Sequence, residues 1–194
     1  MKIILASASP RRKELLEQLG LEFEIRVSDV EEIVTGTNPA EVVKELSALK
    51  AGAVFQKTTE EVLVIGADTV VALDDEILGK PADRQDAENM LRRLQGREHS
   101  VYTGVTLCIR KNGEEQKISF SEGTGVRFYS MTEEEIRWYV DTSEPEDKAG
   151  AYGIQGIGGR FVERINGDYN NVVGLPIARL YHEMKKIIKF QQES

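Results

Sequence analysis

A single cysteine among 194 residues leaves no partner for an internal disulfide. A reducing compartment fits that count, and the cytoplasm is the expected location. Cys108 sits inside the apolar run Val105–Ile109 and reads as a small core residue. A thiol nucleophile would want a histidine beside it, and the chain has two, His99 and His182. No apolar run approaches the length of a bilayer span. Arg11 and Arg12 follow the first apolar segment too soon for a signal peptide. Basic charge is also in deficit, with 25 Lys and Arg against 33 Asp and Glu and a net charge of -8. That excludes a nucleic-acid polymer as the expected partner, because backbone binding shows as a basic surface. A small phosphorylated ligand needs only a local cluster of positive charge. No Gly-x-x-x-x-Gly-Lys-Ser/Thr loop occurs, and Gly153-x-x-Gly156 lacks the flanking strand and helix of a dinucleotide fingerprint. Internal repeats and low-complexity linkers are absent too.

What remains is an ordinary globular composition, 40% hydrophobic and 30% charged. The length suits one domain over 1–194, with room for two lobes. Ile3-Ile4-Leu5 reads as a buried strand. Ser9-Pro10 starts a helix, since a hydroxyl can cap free amides and the proline ring fits the first helical position. Gly20 ends it. Phe23–Val27 alternates as a strand, and Asn38-Pro39 starts a second helix with Val42, Val43, Leu46 and Leu49 on one face. Val62–Ile65 is a β-branched run that predicts a central strand ending in Gly66-Ala67-Asp68-Thr69, with a further strand over Val70–Leu73. Asp74-Asp75 predicts a hairpin turn into Ile77-Leu78. A third helix is expected from about Asp83 to Gln95.

The second half predicts strands around Ser100–Tyr102 and Val105–Arg110, then an Asn112-Gly113 hairpin. The returning strand runs to Phe120 and resumes over Val126–Phe128. Thr132 to Glu135 is a capping box. Lys148–Gly159 is too rich in glycine for regular structure and predicts a loop whose backbone approaches something closely. A strand through Phe161-Val162 and Ile165, a turn at Asn166–Asp168 and a last helix from Pro176 complete the pattern. Strands and helices mix throughout, so the fold class is α/β or α+β with a mixed sheet.

The residues that suggest chemistry fall in three groups. The first helix start combines exposed backbone amides, the positive end of a helix dipole, Ser7 and Ser9, and Arg11 and Arg12, which together suit a phosphate. Lys50 and Lys80 add positive charge. Asp68, Glu31 and Glu32 supply carboxylates, and the glycine-rich loop carries Gln155. In open α/β sheets ligands gather at the carboxyl ends of strands. Cations for a polyphosphate beside carboxylates for a hard divalent metal make a site for phosphoryl transfer or phosphoanhydride cleavage, with one carboxylate able to activate water. Each residue also has a plain structural reading. Asp68 could cap a turn, Lys80 could be a solvated hairpin end, Glu31-Glu32 a surface pair, and Gln155 a loop bond.

At these residues the chain resembles the Maf family of nucleotide pyrophosphatases. The resemblance runs through Leu5–Leu16, Glu31-Glu32, Lys50-Ala51, Gly66–Thr69, Gly79–Pro81, Asp147–Gly156 and Val173–Pro176. It implies an elongated mixed β-sheet in two lobes with a central cleft, related to the inosine-triphosphate pyrophosphatases. It implies hydrolysis of a nucleoside triphosphate to the monophosphate and pyrophosphate with Mg²⁺ or Mn²⁺. Asp68 matches the family's proton acceptor, and Ser7, Arg12, Glu32, Lys50 and Lys80 match positions tied to phosphate or metal; Glu32 and Asp68 are the implied metal ligands. The branch acting on dTTP and UTP carries Arg, Thr and Gln at three positions filled here by Arg11, Thr69 and Gln155. The branch acting on 7-methylguanosine triphosphate instead has Trp, Gln and an acidic residue there. The pattern of this chain is the pyrimidine one, and Gln155 and Thr69 are expected to face the base, a carboxamide offering donor and acceptor together. The resemblance is compatible with a homodimer and carries an association with septum formation. Two rival readings are a non-catalytic nucleotide-binding regulator of cell division, which needs no water-activating carboxylate, and a nucleotidyltransferase.

Overall fold

The structure is a computed structural model that describes residues 1–30, 36–74, 76–188 and 190. Glu31, Glu32 and Asp75 therefore lie outside the described residues.

Local signals at helix starts translate directly into structure. Helix α1 (Pro10–Glu17) is capped by Ser9, α2 (Pro39–Gln56) by Asn38 and α3 (Arg84–Leu94) by Asp83. The Asn38 side chain accepts from the amides of Ala40 at 3.0 Å and Glu41 at 3.3 Å. Helix α4 (Glu133–Val140) has a reciprocal box: Glu135 N–H donates to Thr132 Oγ1, and Thr132 N–H donates to the Glu135 carboxylate. The last expected helix is α6 (Ile177–Met184), and a short helix α5 (Tyr169–Val173) precedes it, with Gly174 at φ 126° between them. No sequence expectation covered α5.

Among the described residues, one seven-stranded sheet organises the chain. Strands β1 (Lys2–Leu5), β2 (Glu24–Ile25), β3 (Val62–Leu73), β5 (Glu98–Lys111), β6 (Glu114–Phe128) and β7 (Val162–Asn166) lie in the order β2-β1-β3-β5-β6-β7, and β4 (Glu76–Leu78) pairs with β3. The β1–β2 and β1–β3 pairs are parallel and the others antiparallel. At Asn112-Gly113 both residues have positive φ, 53° and 80°, which suits a tight hairpin between β5 and β6.

The expected strand breaks are absent. Gly66–Thr69 does not end a strand, because β3 continues through it for 12 residues. Likewise β5 runs without interruption through Thr103-Gly104, and β6 through Ser121–Gly125. Glycines and hydroxyls read as punctuation, yet here the sheet passes through two lobes and these residues occupy its middle. Asp68 is therefore a mid-strand residue.

Alternation along the strands sorts the packing. Leu63, Ile65, Ala67, Val105 and Leu107 pack with Leu15, Leu16 and Leu180 in one lobe. Further along the same face, Val71, Leu73, Val101 and Phe128 pack with Leu91, Leu94, Ile136 and Tyr139 in the other. The opposite face carries α2, where Ala51 and Val54 meet Val62, Val64 and Cys108. Helix α2 lies on this face where side chains are missing. A Cβ on Gly66 would stand 2.3 Å from the Ser47 carbonyl oxygen, and one on Gly104 would stand 2.1 Å from that of Val43.

On the other edge of β3, β1 covers Val62–Ile65 and β4 covers Val71–Leu73. Between them, Gly66–Val70 has no strand partner on that edge among the described residues. This gap in the sheet edge opens the cleft.

Gly104→Ala is expected to cost about 3 kcal/mol, the upper end for forcing an atom into a packed interior, read as a lowered urea midpoint. An unchanged midpoint would show that α2 does not rest on β5 there.

Candidate active site

A cleft of about 660 Å³ occupies the gap between the lobes, within the range of small-molecule sites. Ser7, Ser9, Arg11, Arg12, Lys50, Asp68, Thr69, Lys80 and Gln155 all line it, so the structure gathers every expected site residue except Glu31 and Glu32, which lie outside the described residues. Among the described lining residues, Arg11, Arg12, Lys50, Lys80 and Lys148 stand against Asp68 and Asp147. A chain of net charge -8 thus concentrates cations in one hollow.

Asp68 is buried, and Lys50 reaches it from α2 with Nζ 2.5 Å from Oδ1. The close seat of α2 on Gly66 sets that reach. Lys50 thereby holds the carboxylate in one orientation, and Oδ2 makes no hydrogen bond to a described residue.

The turn from β1 into α1 builds the anion end. Ser7 Oγ accepts from Ser9 N–H at 3.3 Å and from Arg12 Nη1 at 3.2 Å. With both lone pairs taken, the Ser7 hydroxyl keeps its proton for an acceptor in the cleft. Arg12 also donates through Nε to the Gly174 carbonyl at 2.9 Å and through Nη2 to Thr69 Oγ1 at 3.0 Å. Arg11 meets Asp147 at 3.2 Å across the mouth, and Lys148 meets the same carboxylate at 2.6 Å. Partial burial pushes the Asp147 carboxyl up, but Lys148 and Arg11 together outweigh it and leave the group below its usual range.

Glycine density in the loop has an internal cause. The Glu144 carboxylate accepts from Ile157 N–H at 2.8 Å, Gly158 N–H at 2.9 Å and the Tyr139 hydroxyl at 2.8 Å, and Tyr139 in turn accepts from Gly153 N–H at 3.2 Å. A Cβ on Gly156 would fall 2.3 Å from Glu144 Oε2, and one on Gly158 2.4 Å from the Tyr139 hydroxyl. The loop winds around a carboxylate as a nest of amides winds around an anion. Gln155 is left exposed at its apex, its carboxamide free of hydrogen bonds to described residues. Beneath the loop, Tyr152 bonds His99 Nε2 at 2.8 Å, and burial lowers the His99 pKa to about 4.

Sequence reasoning had included Lys148 in the matched stretch without giving it a role. It missed Thr103, Glu144 and Gly174 as supports of the site. The signal for Glu144 was available: an acidic residue shortly before a glycine-rich run is placed to receive its amides.

The described residues hold no group of three or more His, Cys, Asp or Glu side chains suited to a metal. Mg²⁺ often takes one or two carboxylates, with substrate phosphates and water filling the rest of its shell. Asp68 Oδ2 fits such a cation arriving with a polyphosphate.

Comparison with known proteins follows the same line. The Maf-like protein family profile matches residues 2–187. The dTTP/UTP pyrophosphatase of Agathobacter rectalis is 52% identical, covering 96% of this chain and 97% of its own. That of Carboxydothermus hydrogenoformans is 54% identical over 96% and 98%. Among solved structures, a HAM1 protein from Coxiella burnetii is similar in fold, with a TM-score of 0.50, 15% identity and coverage of 96% of this chain and 99% of that one.

Burial raises the Glu144 pKa, but its amide donors, Tyr139 and Lys148 outweigh it and leave the carboxyl below 4.5. A folded value below the unfolded one stabilises the protein above that pH, and the contribution is lost as pH falls through the folded value. The urea midpoints of wild type and Glu144→Gln should therefore differ most near neutrality and converge below pH 4.5. A gap that stayed constant down to pH about 3 would mean that the charge does not hold the loop.

Proposed function

This chain belongs to the Maf family, and from that membership we propose that it hydrolyses dTTP and UTP to the monophosphate and pyrophosphate. The observation that carries the reading is the Lys50–Asp68 pair on the wall of a cleft crowded with cations.

The triphosphate lies against the α1 start. Arg11, Arg12, Lys80 and Lys148 meet its charge, and the Ser7 hydroxyl donates to a phosphate oxygen. Binding draws Arg11 from Asp147 to phosphate, exchanging one anion for another. Gln155 meets the pyrimidine edge. Asp68, oriented by Lys50, takes a proton from water as the oxygen attacks the α-phosphorus. The new O–P bond forms while the bond from the α-phosphorus to the bridging oxygen breaks, and pyrophosphate leaves with that oxygen. A divalent cation held by Asp68, and by Glu32 as the resemblance implies, would neutralise charge on the transferring phosphates. Lys50 then also limits repulsion between Asp68 and the incoming anion.

A nucleotide sensor would use the same cleft without turnover, so Asp68→Asn separates the two. For an enzyme, kcat on dTTP should fall about 10³-fold, within the usual range for a general base, while dTTP binding measured by calorimetry persists. Wild-type protein that binds dTTP and releases no dTMP, with Mg²⁺ or Mn²⁺ present, would overturn the proposed reaction.

A further inference from the structure

Beneath Arg12 runs a line of hydroxyls whose hydrogen-bond directions can be assigned in sequence. The backbone carbonyl of Asn171 can only accept, so Thr103 Oγ1, 2.9 Å away, commits its one proton there. Thr103 must then accept from Thr69 Oγ1 at 2.9 Å. Thr69, its proton used, accepts from Arg12 Nη2 at 3.0 Å. The order is Arg12 to Thr69 to Thr103 to the Asn171 carbonyl, each group donating to the next.

The far end is fixed. Thr103 and Asn171 are fully buried at 0% exposure. The Asn171 carboxamide donates to the Val101 carbonyl and to Thr124 Oγ1, both at 3.0 Å, and Thr124 donates to the Asp168 carbonyl at 3.0 Å. The near end is fixed by sheet register, which sets Thr69 directly opposite Thr103. Ser7 and Gly174 hold Arg12 at two further points. Three anchors define the plane of a guanidinium, and a donor fork held in one plane binds a phosphate without first losing rotational freedom.

We propose that Thr103 is a positioning residue for the phosphates: it orients Arg12 through Thr69. This rests on the reading of the cleft as a nucleoside triphosphate site. Every nucleotide carries the same phosphates, so a fault in the line should weaken all substrates alike. A residue that touched the base would instead change their ranking.

The test compares Thr103→Val, which removes the hydroxyl, with Thr103→Ser, which keeps it and loses a methyl. Thr103→Val should lower kcat/KM about tenfold for dTTP, UTP and slower nucleotides alike, as expected for loss of a bond that supports a charged group. It should also speed phenylglyoxal labelling of Arg12, followed by peptide mass spectrometry, with Arg11 labelling as the internal control. Thr103→Ser should keep near wild-type activity and labelling despite a lower melting temperature. Thr69→Val should speed Arg12 labelling as Thr103→Val does, since it breaks the same line one step nearer the guanidinium. The proposal is overturned if Thr103→Val or Thr69→Val leaves Arg12 labelling unchanged, or if Thr103→Ser loses activity as Val does. Labelling needs no turnover. A wild type inert to every nucleotide would therefore sink the proposed reaction while Arg12 labelling still decides the orientation claim.

Discussion

The ion pair between Lys50 and Asp68 is the contact around which this molecule is arranged. Its partners come from a helix and a strand with no local reason to meet so closely. They meet because Gly66 and Gly104 remove two side chains from the face that α2 covers. They stay accessible because β1 stops at Leu5, opposite Ile65, and β4 covers β3 only from Val71 onward, leaving Gly66–Val70 without a strand neighbour on that edge among the described residues. Burying a carboxylate is costly unless it is paired. Pairing by a lysine leaves the second oxygen for water or a cation, so the same contact meets a folding requirement and sets up the chemistry.

Two other carboxylates show the same physics in different roles. Glu144 is wholly occupied by the protein, taking amides and a phenol hydroxyl, and shapes the loop that presents Gln155. Asp147 neutralises Arg11 and Lys148 at the cleft mouth, where an anionic ligand can displace it. Like charges in the hollow would otherwise repel one another. The positive cleft in an acidic chain concentrates attraction at a single place, since the surrounding surface disfavours anions.

The parts legible in the sequence were the ones with local causes. Ser9-Pro10, Asn38-Pro39 and the Thr132–Glu135 box start helices because a cap and its amides lie within a few residues of each other. The parts misread were long strands broken at Gly66–Thr69, Thr103-Gly104 and Ser121–Gly125. Those positions look like turns because their residues are small or polar. They are so because the middle of the sheet meets α2 closely at Gly66 and Gly104 on one face and, on the other, Thr69, Thr103 and Thr124 are taken up in hydrogen bonds within the protein, a reason that exists only in three dimensions. The supports of Arg12 were equally hidden, since Gly174 is 162 positions away and Thr69 57. The glycine-rich loop was recognised as irregular, but the partner that its backbone approaches is Glu144, a residue of the chain itself.

The claim that water attacks the α-phosphorus is tested most directly by hydrolysing dTTP in ¹⁸O-labelled water and weighing both products. The account predicts one ¹⁸O in dTMP and none in pyrophosphate. Label in pyrophosphate, or release of inorganic phosphate in its place, would contradict it.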